Sequence, residues 1–219
     1  MEFGLYQAVQ LISLITAIFC YKGLKKFKLT AFVPLLILVC IVEFIAGNYK
    51  MWGWPSNYIV YDLYFILSTP ILLYILNNML AFKKKGQLIY WLINSCLMLF
   101  VTYNTFFLQG LHKIDTYSYL TVESFMVIWS LIAIFRQFLE DDAATMLNEH
   151  PYFWINGSTV IFGLGILFIM GLSDYIIEKK IFLYGKHIYQ YVTKALNFVL
   201  YISYSYAFIL CRKLTVKQS

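Results

Sequence analysis

Charge is scarce in this chain. Only 13% of its 219 residues are Asp, Glu, Lys or Arg, against roughly a quarter in an average soluble domain. With 61% hydrophobic residues and a mean hydropathy of +0.71, that scarcity excludes a large soluble core and reads as an integral membrane protein. Cysteine is equally sparse: Cys20, Cys40, Cys96 and Cys211 lie within apolar runs or at their lysine-flanked ends. None sits in a loop where an oxidising compartment would pair it, so no disulfide framework is expected. The three histidines, His112, His150 and His187, fall in loops or at run ends, with His150 on the opposite face from the others, which excludes a convergent intramembrane zinc centre. Ser124, Ser130 and Ser173 lack a nucleophile elbow and a partnering histidine, so no serine hydrolase is expected. Of the four prolines only Pro34 and Pro70 lie inside apolar runs, and the proline-glutamine pair of small seven-helix sugar transporters is missing. The start, MEFGLYQ, has no basic region and no small-residue cleavage site after it, so the first run is expected to be retained.

What is abundant is continuous hydrophobicity. Seven runs, at about 4–21, 31–47, 58–80, 88–108, 119–138, 154–177 and 187–210, approach or exceed the roughly 20 residues a helix needs to cross the hydrocarbon region. They lack the alternation of a strand barrel. The sequence therefore predicts an all-α seven-helix membrane bundle over 1–211 with a short basic tail at 212–219. The net charge of +6 does not point to nucleic acid. Lys22, Lys25, Lys26 and Lys28 follow the first run, Lys83–Lys85 the third, Arg136 closes the fifth, and Arg212, Lys213 and Lys217 follow the last. Positive residues favour the cytoplasmic face, so the N-terminus is expected outside, the C-terminus inside, and the chain in the cell (inner) membrane.

The polar residues inside the runs show a common depth. Glu43, Asp62, Asn104 and Glu123 each lie four residues from the outer end of their run, and Gln7 three. At the rise of an α-helix this is roughly 6 Å below the boundary, with Lys194 roughly 10 Å deep and Asn197 one turn further on the same face. Ionisable groups in spans face the bundle interior and pair with one another. Gln7, Glu43, Asp62, Asn104, Glu123, Lys194 and Asn197 are therefore expected to line one outward-facing ligand pocket, with Tyr61, Tyr103, Tyr189 and Tyr191 adding hydroxyls. Three acids beside one lysine predict that at least one acid is protonated near neutrality or neutralised by a cation. The competing reading is a polar network that only ties helices together. Lys194 stands on the last span, where retinal would form its Schiff base, with Asp62 as counter-ion. It lies too near the outer end, however, and Gln190 one turn earlier stands where a carboxylate is needed. No cofactor is expected, and an ion pair is the predicted role of Lys194.

The loops are short, which predicts antiparallel neighbours. The first, NYKMWGWPSN, reads as an interfacial aromatic belt or a lid. The loop LEDDAATMLNEHPYFW carries Glu140, Asp141, Asp142 and Glu149 on the otherwise basic face, either a solvated turn or a docking surface for a basic cytoplasmic partner. Pro151 suits the first turn of the sixth span. Gly157, Gly163, Gly165 and Gly171 predict close helix packing there, or a hinge.

The phrases IVEFIAGN with Glu43, YNTFFLQG with Asn104, TVESFMVIW with Glu123, and NEHPYFWINGS with Trp154 and Asn156 together resemble an uncharacterised family of small bacterial seven-helix membrane proteins associated with sensor histidine kinases. The resemblance implies a signalling accessory in which Glu43 and Glu123 recur. Where that family reads asparagine-proline before its FWI phrase, this chain has His150 and an added Tyr152, and Lys194 is not a family feature. The expected function is a sensory or scaffolding protein that binds a small molecule or lipid headgroup outside and signals to a separate, sensor-kinase-like partner. The alternatives are an intramembrane enzyme using paired carboxylates on a lipid, and a proton- or cation-coupled transporter.

Overall fold

A computed structural model describes residues 5–110, 115–140, 147–172, 178–179, 182–183 and 186–217. Helices overlie the apolar runs: α1 (Leu5–Phe19), α3 (Phe32–Gly47), α4 (Tyr58–Leu80), α5 (Lys84–Tyr103), α6 (Thr116–Glu140), α7 (Pro151–Gly171) and α8 (Ile188–Lys217), with a short α2 (Tyr21–Lys26) after α1. The α5 helix continues as a π-helical turn over Asn104–Leu108. A two-residue antiparallel pair, β1 (Phe182–Leu183) and β2 (Lys186–His187), precedes α8. Five helices, counting α5 with its π turn, are long and apolar enough to cross a bilayer, while α1 and α3 are shorter apolar helices.

The helix limits follow local chemistry. Pro151 occupies the first position of α7, where its missing N–H costs nothing, and His150 caps the helix by accepting the Tyr152 N–H on Nδ1 at 3.3 Å. Pro70 lies inside α4 and removes one backbone donor there.

Packing follows a closed course. The α1 helix contacts α3, α3 contacts α4, α4 contacts α6, α6 contacts α7, α7 contacts α8, and α8 returns to α1. The α5 helix stands beside the α4–α6 contact and is the least buried of the five long helices. Phe32 on α3 packs edge-on against Tyr204 and Phe208 of α8, with centroids 4.9 and 5.2 Å apart. Outward faces carry exposed Ile12, Ile15, Ile41, Leu63, Leu92, Ile128 and Phe168. So much apolar surface spread over every long helix is what a lipid-facing exterior requires.

Glycines set the closest approaches. A Cβ on Gly23 of α2 would lie 2.7 Å from the Arg212 backbone nitrogen, so α2 and α8 meet backbone to backbone. On α7, a Cβ at Gly163 would meet Val127 of α6 at 2.6 Å, and one at Gly165 would meet Leu196 of α8 at 2.5 Å. The close packing predicted from the α7 glycines therefore holds at two positions, whereas Gly157 and Gly171 face open space.

Candidate functional site

Glu43, near the end of α3 away from the basic clusters, is half-buried and accepts a 3.0 Å hydrogen bond from the Tyr6 hydroxyl of α1. The buried Gln10 amide, one turn further along α1, lies near this carboxylate. Lys194 of α8 places its ammonium 5.5 Å from the centre of the Tyr6 ring, within range of a cation–π interaction, and acts on Glu43 electrostatically. The expected contact ion pair does not form among the described residues: the exposed lysine head lies over the Tyr6 ring instead. Three helices thus converge on one carboxylate, with a phenol between it and a cation.

Glu123 occupies a different corner. Its carboxylate lies in the notch left by Gly163, where an added Cβ would sit 3.2 Å from Oε2. Tyrosines lie near both this acid and Glu43. Tyr64 of α4 is within electrostatic range of both. Tyr204 of α8 feels Glu123, and its hydroxyl is 3.3 Å from that of Thr159 on α7. Tyr61 is within electrostatic range of Glu43. Tyr191 is half-buried on α8. Tyr103, by contrast, is exposed and stacks on Phe107 at 5.4 Å, and the Tyr189 side chain lies outside the described residues.

Asn104 belongs to a third group. The π turn brings Asn104 and Thr105, both fully buried, against Asp115 at the start of α6. The Asn104 amide and the Thr105 hydroxyl each donate to the Asp115 carboxylate, which also accepts the Ser118 N–H at 3.2 Å. That last bond is a helix N-cap. Gln109 Oε1 accepts the Tyr117 N–H at 3.2 Å and an Asn104 N–H at 3.0 Å, so it satisfies another open donor of α6. Asp62 on α4 adjoins this group, 3% exposed and an electrostatic neighbour of Asp115, with Oδ2 unpartnered. The stacking of Phe65 on Tyr119 at 4.1 Å sets the α4–α6 register that brings it there.

The residues expected to share one pocket make their direct contacts in local clusters, with Tyr64 within electrostatic range of Glu43 and Glu123 and Tyr119 within range of Asp62 and Glu123. Glu43 and Lys194 come together, Asp62 and Asn104 meet around Asp115, and Glu123 packs against α7. Gln7 lies beside Gly47 on α3, its Nε2 4.0 Å from where a Cβ would be. Asn197 turns back onto its own helix and donates to the Thr193 carbonyl at 2.9 Å. Of the acidic loop, Glu149 is exposed in a 3-10 turn, while Asp141, Asp142 and the Glu140 side chain lie outside the described residues. Tyr6, Gln10 and Asp115 were not foreseen as site residues. Asp115 had a legible signal, because an Asp directly before an apolar periodic run is a cap signature. Tyr6 and Gln10 flank Gln7 without distinguishing marks.

No family model, curated protein or solved structure matches this chain. Among the described residues no three His, Cys, Asp or Glu side chains are grouped to hold a metal ion.

Proposed function

We propose that the chain is a seven-crossing protein of the cell membrane, N-terminus outside and C-terminus in the cytoplasm, that works as a sensory or scaffolding subunit. It takes a small polar ligand or lipid headgroup at the Glu43 centre and signals to a separate partner, in line with its resemblance to the sensor-kinase-associated family. The observation that supports this reading is the meeting of Tyr6 and Gln10 from α1, Glu43 from α3 and Lys194 from α8. A carboxylate, phenol, amide and ammonium in one corner suit a zwitterionic or polar ligand, and a group bound there bears on three helices together. The α8 helix runs from Ile188 to Lys217 as one element. At 1.5 Å per residue the stretch from Lys194 to Lys217 is roughly 35 Å long, so a tilt set at one end is delivered at the other. Such a signal is a population shift between two packings of α8. The α7 helix, the moving element that its glycines and the preceding acidic loop suggest, packs on α8 at Gly165 and shifts with it.

Native mass spectrometry of the full chain released from its own membranes tests this. A small-molecule adduct or co-released protein that disappears in Glu43→Gln, at unchanged thermal midpoint, is the expected result. A bare chain in both samples removes the sensory reading. Orientation is checked separately by labelling single cysteines placed at Lys50 and Lys213 with an impermeant reagent in intact cells, and only the first is expected to react.

A further inference from the structure

At the basic end of the bundle, opposite Glu43, a crevice of about 290 Å³ opens between the α2–α3 turn, the end of α4, the end of α6 and the start of α7. Its size is at the lower limit of small-ligand pockets, about 300 Å³. Lys26, Lys28 and Arg136 line it together with His150, and no acid does among the described residues. Arg136 is held in place by donating to the Leu80 carbonyl and by lying 5.3 Å from the centre of the Phe82 ring. His150 spends Nδ1 on the Tyr152 N–H, which leaves the proton of a neutral ring on Nε2.

Two further features shape the crevice. Lys28 and Ala81, both in its lining, are the non-glycine residues with positive φ among those described, at 55° and 45°. Each ends a helix, Ala81 as the left-handed C-cap of α4 and Lys28 just after α2, so the crevice lies where two helices terminate. Asn78 ties the two turns together by donating to the Lys28 carbonyl at 3.1 Å. The second feature is Gln137, whose Oε1 and Nε2 are both buried without a hydrogen-bond partner among the described residues although the residue lines the crevice. An unpartnered buried amide is costly, and a ligand oxygen accepting from Nε2 removes the donor's share of that cost.

We propose that this crevice binds a phosphate-bearing anion, with Lys26, Lys28 and Arg136 supplying charge and Gln137 a neutral hydrogen bond. The phosphate belongs either to an anionic phospholipid headgroup, as in basic pockets between membrane helices, or to a free phosphate compound. The site is independent of the Glu43 centre, so neither stands or falls with the other.

The test measures the thermal midpoint and native mass spectrum of the full chain in detergent, with phosphatidylglycerol, inorganic phosphate or acetate added. The expected result is a raised midpoint with phosphatidylglycerol, inorganic phosphate or both, and none with acetate. Stabilisation by the lipid alone assigns a headgroup, and stabilisation by inorganic phosphate assigns a free anion. The Lys26→Gln/Lys28→Gln double variant should bind at least tenfold more weakly, since each lysine near an anionic surface contributes roughly fivefold. The Lys22→Gln/Lys25→Gln variant, equal in charge and on the neighbouring α2 but outside the crevice, should stay within about twofold. Gln137→Leu should weaken binding without lowering the midpoint of the empty protein, which a merely structural glutamine would not do. Equal losses in the two double variants, or no stabilisation by either phosphate source, overturn the proposal.

Discussion

Asp115 and Glu43 are carboxylates near the same end of the bundle, yet they are held in opposite ways. Asp115 is satisfied by its own neighbourhood: Ser118, Thr105 and Asn104 are 3, 10 and 11 residues away in sequence. They close the turn between α5 and α6 and cap the latter. Glu43 takes its hydrogen bond from Tyr6, 37 residues away, and its nearby cation from the last helix. A short-range network is complete once two adjacent helices form. A long-range one reports on how α1, α3 and α8 are arranged, which is what a sensing centre needs. The comparison teaches that a buried acid's role follows from where its donors come from more than from its depth.

That distinction can be broken by mutation. Asp115→Ala removes a cap worth about 1 kcal/mol and strands buried donors at about 1–3 kcal/mol more. Denaturant unfolding in detergent should show a loss of about 2–4 kcal/mol, and a loss below about 1 kcal/mol would mean the network is not structural. Gly163→Ala drives a methyl into Val127 and the Glu123 carboxylate, an overpacking cost of about 1–3 kcal/mol. Gly157→Ala, in open space, should be neutral or gain up to about 1 kcal/mol from helix propensity. If the two glycine variants behave alike, the α6–α7 contact is looser than described. Tyr6→Phe deletes the bond to Glu43 at a smaller cost, about 1 kcal/mol, but should abolish whatever adduct native mass spectrometry finds. Lys194→Met should change the midpoint least, by under about 0.5 kcal/mol as expected for an exposed side chain, while still weakening an anionic ligand. A large stability loss there would move Lys194 from the ligand to the scaffold.

The α4 helix shows how much of the fold was legible. Its apolar run was read at 58–80, and the helix spans Tyr58–Leu80. Continuous hydrophobicity of that length leaves the backbone no other way to satisfy its donors in lipid. Asp62, near its start, could be placed in depth along the axis but not in azimuth. On an amphipathic helix the polar stripe reveals the facing direction. Here α3, α4 and α7 are apolar on nearly every side, with the buried residues scattered through them, so the pattern does not say which neighbour Glu43 or Asp62 meets. Equal depth alone therefore does not say which of these side chains touch.

The amino-acid sequence by itself determined the helical class, the position of the long apolar helices, the charge contrast between the two ends and the proline start of α7. These follow from local composition and from hydrogen bonding within each helix. Only the tertiary structure decided which side chains each acid meets, that α5 stands outside the closed course of helices, and that Gly23 must be bare for α2 to reach the α8 backbone. It also decided that Lys28 and Ala81 turn left-handed around a basic crevice. Each of these depends on the rotation of one helix against another. That rotation is set by side-chain volume at the contacts, which no single helix carries in its own sequence.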